Sequence, residues 1–249
     1  MMVRNLFLIA TITTLVAARS AEGGPKLTIP GDHFDFGFVP QNCKVSHIFW
    51  LHSTGDDTVR IASVIPGCGC TEAPLKKTAL APGDSTPLEV TFSSGSYVGA
   101  VVKEPSIQLK NELPESHVQI KCRVVVRPDS TAPIVFKPYA LNLTQFGETP
   151  RTEARFSITN VTAEDVSLSI ESIPDDVLAL ELATTVKAGQ TIQGIVRLKP
   201  EAMSRGFDKS ITFRLSDEPR SRFTLPVTRK APPTGPLAPT VSKVPGSAN

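Results

Sequence analysis

The chain has 249 residues, enough for about two domains of ordinary size. Hydrophobic residues make up 40% and charged residues 20%, which provides material for packed cores and excludes a broadly disordered chain. The formal net charge of +2 is too small to indicate nucleic acid as a partner. The 22 prolines and 16 glycines are spread along the chain and favour many short strands joined by turns.

Residues 1–21 have the features of a signal peptide. Arg4 supplies a positive charge, an apolar stretch from Leu6 to Ala17 follows, and small residues come next. The stretch is too short for an ordinary membrane anchor, although an uncleaved anchor is the alternative, and no later apolar run is long enough to span a membrane. We therefore expect an exported protein, periplasmic, on the cell surface or secreted, with no membrane insertion after signal cleavage.

Alternation of apolar and polar residues dominates the chain that follows. One strand face of the segment 45–51 collects every second side chain, namely Val45, His47, Phe49 and Leu51. Similar runs follow, and turn sequences rich in Pro, Gly, Asn and Asp separate them. Short alternating strands at this spacing predict a β-sandwich.

The same pattern recurs roughly a hundred residues later. Phe49 corresponds to Phe156, and the run containing Val90 corresponds to the run containing Val196. The repeat predicts an all-β protein of two tandem immunoglobulin-like β-sandwich domains. We place the domains at residues 22–129 and 130–230, with a hinge at 128–133. Residues 231–249 form a Pro-rich tail with too few apolar side chains to pack, and we expect this tail to be disordered.

Two motifs of the first domain carry a family resemblance. They are Phe34-Asp35-Phe36-Gly37 at its start and Cys68-Gly69-Cys70-Thr71 in its middle. In this order they resemble the exported bacterial domains known as domain-of-unknown-function family 1573. The resemblance implies an immunoglobulin-like sandwich related to Hydin-type and pilus-chaperone-type domains, and it implies no established activity. The second domain resembles the same fold but lacks the Cys-Gly-Cys-Thr motif.

Cysteines in an exported chain are first of all disulfide candidates, and this chain has four, Cys43, Cys68, Cys70 and Cys122. Four cysteines allow three pairings, and the sequence does not choose among them. Compared with the resembled family, Cys43 and Cys122 replace two small residues, which suggests a disulfide between them. Two separate buried thiols are the alternative.

The Cys68-Gly69-Cys70 segment is the one site-like feature of the sequence. Two closely spaced thiolates could bind a soft ion such as Cu(I) or act in thiol redox chemistry, with His47 as a further ligand. The spacing differs from the Cys-x-x-Cys of zinc and thioredoxin-like sites, and no second cysteine pair completes a ligand set. We therefore favour a structural turn, which a Cys68–Cys70 bond could close, and assign no metal and no cofactor.

Catalytic motifs are absent from the sequence: it contains no nucleophile elbow, no zinc-protease motif and no phosphate-binding glycine loop. We therefore assign no catalytic residue and predict that the chain is not an enzyme. Ile48 and Trp50 lie on the outer face of the 45–51 strand, where a partner, the other domain or a loop could cover them.

Our leading hypothesis is a non-enzymatic exported structural or protein-interaction module with a partner protein of the cell envelope, bound by adding a strand at a sheet edge. The alternative is a metal-binding or thiol-redox accessory protein that uses Cys68 and Cys70.

Overall fold

The computed structural model describes residues 23–110, 114–145, 150–218 and 220–231. The predicted signal peptide and all but Ala231 of the predicted tail lie outside these residues. Within the described ranges the chain forms strands, two single 3₁₀ turns at Pro128–Ser130 and Pro200–Ala202, and no α-helix. No helix in these ranges is long and apolar enough to cross a membrane. The predicted all-β class is confirmed.

The described residues contain twenty strands. The first eleven are β1 (Leu27–Thr28), β2 (His33–Pro40), β3 (Lys44–Ser53), β4 (Val59–Ile65), β5 (Thr71–Glu72), β6 (Ala79–Leu80), β7 (Ser85–Ser93), β8 (Gly99–Lys103), β9 (Ser106–Leu109), β10 (Ser116–His117) and β11 (Gln119–Val125). The remaining nine are β12 (Ile134–Lys137), β13 (Leu141–Asn142), β14 (Glu153–Asn160), β15 (Val166–Ser172), β16 (Leu178–Leu182), β17 (Thr185–Val186), β18 (Thr191–Leu198), β19 (Phe207–Leu215) and β20 (Arg222–Arg229).

The strand pairings of the first half recur in the second half. β3 pairs antiparallel with β7 as β14 does with β18, and β4 pairs antiparallel with β9 as β15 does with β19. β2 runs parallel to β11, just as β13 runs parallel to β20. The recurrence expected from the sequence is therefore present in the sheets.

Each half encloses its own cluster of buried apolar side chains. The first cluster draws on residues 36–124 and includes Phe36, Phe49 and Phe92, while the second draws on residues 134–227 and includes Phe156 and Phe213. The alternation of apolar and polar residues explains both clusters, since every second side chain of a strand points into the space between two packed sheets. Burial along β7 follows a strict period of two.

One sheet of eight strands continues from one half into the other. Its main order is β17-β15-β19-β20-β2-β11-β8, with β13 also on β20. At the junction Phe38 of β2 pairs with Phe223 of β20, and the hydroxyl of Thr224 donates to the carbonyl of Phe36 at 2.6 Å. Gly37 permits this approach: its φ is +63°, and a Cβ there would collide with the backbone of Arg222. The two sandwiches are thus joined by packed strands as well as by the predicted hinge, and the predicted domain bounds stay a prediction.

Candidate interaction site between the two sandwiches

Strand β3 meets the second sandwich through its own backbone at Ser46. The Ser46 N–H donates to the hydroxyl of Ser210 on β19, and that hydroxyl donates to the Ser46 carbonyl, both at 3.0 Å. Both serines are buried. In an antiparallel pair, the N–H and C=O groups of alternate residues point away from the partner strand. Because Ser46 points away from β7, Ile48 and Trp50 direct their N–H and C=O groups the same way.

Among the described residues, hydrogen-bonding partners lie along the outward edge of β3 at its two ends only. β1 pairs with His52 and Ser53 at one end, and Ser210 bonds Ser46 at the other. Between these points, no strand of the described ranges pairs with Ile48 or Trp50 on this side. The chain therefore leaves a short open sheet edge that faces the second sandwich.

A groove of about 400 Å³ lies along this open edge. Its lining includes Ile48 and Trp50 of β3, the segment 172–176 after β15, and Lys209 and Ser210 of β19. Trp50, the only tryptophan of the chain, is 49% exposed. The outer-face pair named from the sequence therefore lines a cleft between the sandwiches, and the tryptophan ring remains open to solvent.

Charged side chains frame the groove. Lys209, whose side chain is 8% exposed, pairs with Glu89 at 2.6 Å, and Asp176 pairs with Arg205 at 3.1 Å. Asp175 is exposed on the same wall as Asp176. Since Lys209 and Arg205 each balance one carboxylate, Asp175 gives the groove one further negative charge.

His47 belongs to the packing behind the edge. Its ring stacks on Phe34 with centroids 3.6 Å apart and meets Phe49 edge-on at 4.8 Å, while Nδ1 lies 3.4 Å from the Ser172 hydroxyl. Burial lowers the pKa of His47 from its ordinary value of 6.5 to about 4. The ring is therefore neutral at physiological pH and is held by aromatic contacts and the second sandwich.

Cys68 and Cys70 form a disulfide with an S–S distance of 2.09 Å. The Tyr97 hydroxyl donates to Cys70 Sγ at 3.5 Å, and Lys103 Nζ donates to that hydroxyl at 3.3 Å. The Cys70 carbonyl accepts from the N–H of Ser93, so the turn is tied to β7. This arrangement agrees with the interpretation of the motif as a structural turn. Two cysteines bonded to each other offer no thiolate to a metal or a substrate.

The metal candidates named from the sequence are not brought together. His47 packs against the aromatic residues of β2 and β3, and Cys68 and Cys70 bond each other. Across the described ranges, no group of three or more His, Cys, Asp or Glu side chains is placed to hold a metal ion. The interpretation of His47 as a further metal ligand is therefore corrected, because its alternation with Phe49 places its ring on the packed face of β3.

The suggested Cys43–Cys122 disulfide is also corrected, because both are free thiols. Cys43 Sγ donates to the Pro40 carbonyl at 2.9 Å and lies 3.4 Å from the Ser94 hydroxyl, while Cys122 packs in the first apolar cluster. Burial raises the pKa of Cys43 to about 11 and that of Cys122 to about 12. Cys43 is half-buried and Cys122 is buried, and the two remain unbonded thiols, as in the alternative weighed from the sequence.

Sequence reasoning missed the groove residues of the second sandwich. Lys209 and Ser210 sit in an ordinary strand pattern, and Asp175 and Asp176 follow a proline in a turn, so local pattern explains all four. Only the packing of β19 against β3 makes them part of a site. The sequence gives no signal for them, because the strand Phe207–Leu215 contains other polar residues as well, and the burial of Lys209 and Ser210 is visible only in the structure.

Comparison with solved structures gives distant likenesses. A protein of unknown function from Porphyromonas gingivalis W83 is 14% identical, with 82% of this chain and 99% of that one covered and a TM-score of 0.35. The ASH/PapD-like domain 7 of human CEP192 is 11% identical over 48% of this chain and 99% of that one, with a TM-score of 0.33. The CupB2 chaperone of Pseudomonas aeruginosa is 10% identical over 80% and 98%, with a TM-score of 0.30. These likenesses concern the fold alone.

Sequence comparison is informative for the first sandwich. No curated protein matches the chain. The family model DUF1573, described as a protein of unknown function, matches residues 27–124. The matched segment begins at β1 and ends within β11, and it includes the open edge of β3 and the Cys68–Cys70 turn.

Proposed function

We propose that this chain, whose residues 27–124 are a domain of the DUF1573 family of unknown function, is an exported, non-enzymatic binding module of the cell envelope. It takes up an extended segment of a partner protein at the open edge of β3. One observation carries the proposal: Ile48 and Trp50 direct unpaired backbone groups into a groove beside an exposed tryptophan.

An open edge is suited to this role for a general physical reason. A row of outward N–H and C=O groups bonds any extended chain laid beside it, and side-chain pockets along the row provide selectivity. Trp50 supplies a large apolar surface at the rim, the kind of residue that dominates binding energy at interfaces. The exposed Asp175 favours a segment that carries a Lys or Arg side chain.

Export is supported by two features. The first 21 residues combine a positive charge, an apolar stretch and small residues in the order of a signal peptide. The half-exposed Cys68–Cys70 disulfide fits an oxidising compartment, where such bonds persist.

Capture of envelope proteins by edge variants tests the proposal. Ile48→Pro removes an outward N–H while leaving the β3–β7 bonds intact, because proline is tolerated at the free side of an edge strand. We expect Ile48→Pro and Trp50→Ala each to lower the capture of a specific partner by roughly tenfold. Tyr139→Ala, which truncates an aromatic side chain of similar exposure away from the groove, is the control. Equal capture by all three variants and the parent chain would rule the edge out as the binding site.

A further inference from the structure

The two sulfurs of the Cys68–Cys70 disulfide have different surroundings. Cys70 packs against the first apolar cluster, whereas Cys68 lies between the exposed Gly67 and Gly69. Apart from chain neighbours, no atom of the described residues lies within 4 Å of a Cβ built on either glycine. The Cys68 side of the S–S bond is therefore open to an incoming group.

Hydrogen-bond donors surround the Cys70 end of the bond. The Tyr97 hydroxyl donates to Cys70 Sγ at 3.5 Å, and Lys103 Nζ donates to that hydroxyl at 3.3 Å. The Thr71 hydroxyl lies 3.4 Å from Cys68 Sγ and 3.8 Å from Cys70 Sγ, and it is the donor because a disulfide sulfur carries no hydrogen. A disulfide sulfur is a weak acceptor, whereas a hydrogen bond to a thiolate is charge-assisted and roughly twice as strong. These donors therefore favour the state in which Cys70 is a thiolate.

The backbone of the turn is held independently of the S–S bond. The N–H of Thr71 donates to the Cys68 carbonyl at 3.3 Å, and the N–H of Ser93 donates to the Cys70 carbonyl at 2.8 Å. The two cysteines are separated by two positions in the sequence, and so short a loop removes little entropy from the unfolded chain. We therefore expect the bond to open without unfolding the sandwich.

We propose that Cys68–Cys70 is a thiol–disulfide exchange site that takes two electrons from a dithiol. One thiolate of the dithiol attacks Cys68 Sγ from its open side and forms a mixed disulfide there. The Cys68–Cys70 bond breaks, and Cys70 leaves as a thiolate that the Tyr97 and Thr71 hydroxyls stabilise. Exchange is faster when the leaving sulfur is the more stable thiolate, so the donors at Cys70 decide which sulfur is attacked.

A second exchange completes the transfer. The second thiol of the dithiol gives its proton to the Cys70 thiolate and attacks the dithiol's first sulfur, which releases Cys68 as a thiolate. Cys68 then takes from water the proton that the first thiol had lost. The dithiol is oxidised to a disulfide, and Cys68 and Cys70 are reduced to two thiols. This reaction goes beyond the binding proposed for the β3 edge, and none of the residues named for it lines the groove.

Reduction of the folded chain by dithiothreitol tests the proposal, with alkylation and peptide mass spectrometry to count the thiols. We expect Cys68 and Cys70 to become labelled without urea, and the rate to fall about tenfold in Tyr97→Phe. Phenylalanine keeps the packing of this ring against Phe92, where the centroids are 5.7 Å apart. The chain has one other tyrosine, and Tyr139→Phe is the matched control because it has similar exposure and should react as the parent does. Reduction that occurs only in unfolding concentrations of urea would overturn the proposal, as would equal rates in Tyr97→Phe and the parent.

Lys103 is a positioning residue, because it acts on Cys70 through the Tyr97 hydroxyl. Lys103→Gln should slow reduction about threefold, whereas Lys103→Arg should restore the parent rate by supplying another cationic donor. Slow reduction in both variants would contradict the proposed donor chain, since it would assign the effect to packing of the lysine stem.

The direction of attack is tested with glutathione, a monothiol, followed by acid quenching and alkylation. We expect glutathione on Cys68 and the alkyl label on Cys70, and glutathione in equal amounts on both would refute the assignment of Cys70 as leaving group. Ile48→Pro and Trp50→Ala should be reduced at the parent rate. Loss of partner capture with normal exchange therefore concerns the β3 edge alone, and a disulfide inert in the folded chain overturns only the exchange site.

Discussion

Acidification from pH 7 to pH 5 should destabilise the fold through His47. The ring lies between Phe34 and Phe49, and burial lowers its pKa from 6.5 to about 4. Below pH 6.5 the unfolded chain binds a proton at this residue, whereas the folded chain keeps the ring neutral down to about pH 4. The contribution of His47 to stability is therefore nearly constant above pH 6.5 and decreases as the pH falls towards 4. At pH 5, which is about 1.5 units below the ordinary pKa, the loss is about 2 kcal/mol.

Urea unfolding at pH 7, 6 and 5 tests this magnitude when the parent chain is compared with His47→Gln, whose side chain is polar but does not titrate. The free energy of unfolding of the parent should decrease by about 2 kcal/mol more than that of the variant. Asp84 and Asp165 have a lowered pKa because of hydrogen bonds from Lys77 and Lys187, so their contribution is lost only in more acidic solution. Identical pH slopes for the two proteins would refute the burial argument.

Five further substitutions test the packing, each by the free energy of unfolding in urea. Gly31→Ala should cost about 1 kcal/mol and Gly37→Ala about 3 kcal/mol. Both glycines have positive φ, but only at Gly37 would an added Cβ collide with β20. Equal losses for the two variants would contradict the close approach of β2 to β20. Ser210→Ala should cost about 2 kcal/mol by leaving buried backbone groups of β3 unpaired, and a neutral result would mean that this bond is replaced by water. Phe213→Ala should cost about 4 kcal/mol, against less than about 0.5 kcal/mol for the exposed Ile170→Ala.

Much of the fold could be read from period-two alternation. Val45, Phe49 and Leu51 are buried as the pattern predicts, and the matching strand with Phe156 repeats the arrangement in the second half. This works because a strand has only two faces, so a local pattern decides which side chains meet the core. The family resemblance of the first half, confirmed over residues 27–124, rests on equally local motifs.

The cysteines show where local pattern stops being sufficient. Cys68 and Cys70 are near enough in sequence to bond within one turn, and they form a disulfide in the structure. Whether Cys43 bonds Cys122 depends on where the turn before β3 places one thiol relative to β11, and no local pattern encodes that distance. In the structure the Cys43 thiol donates to the Pro40 carbonyl, and Cys43 and Cys122 are both free.

The sequence by itself determined the class of the fold, the two-fold recurrence of its strands and the outward position of Ile48 and Trp50. Tertiary structure alone decided that β2 and β20 share one sheet and that Ser210 ends an open stretch of β3 edge. Burial alternates between neighbouring residues, so it can be read from local sequence. Whether a strand edge is open or closed depends instead on strands that are distant in the sequence. The groove, and with it the candidate site, exists only once the two halves are packed together.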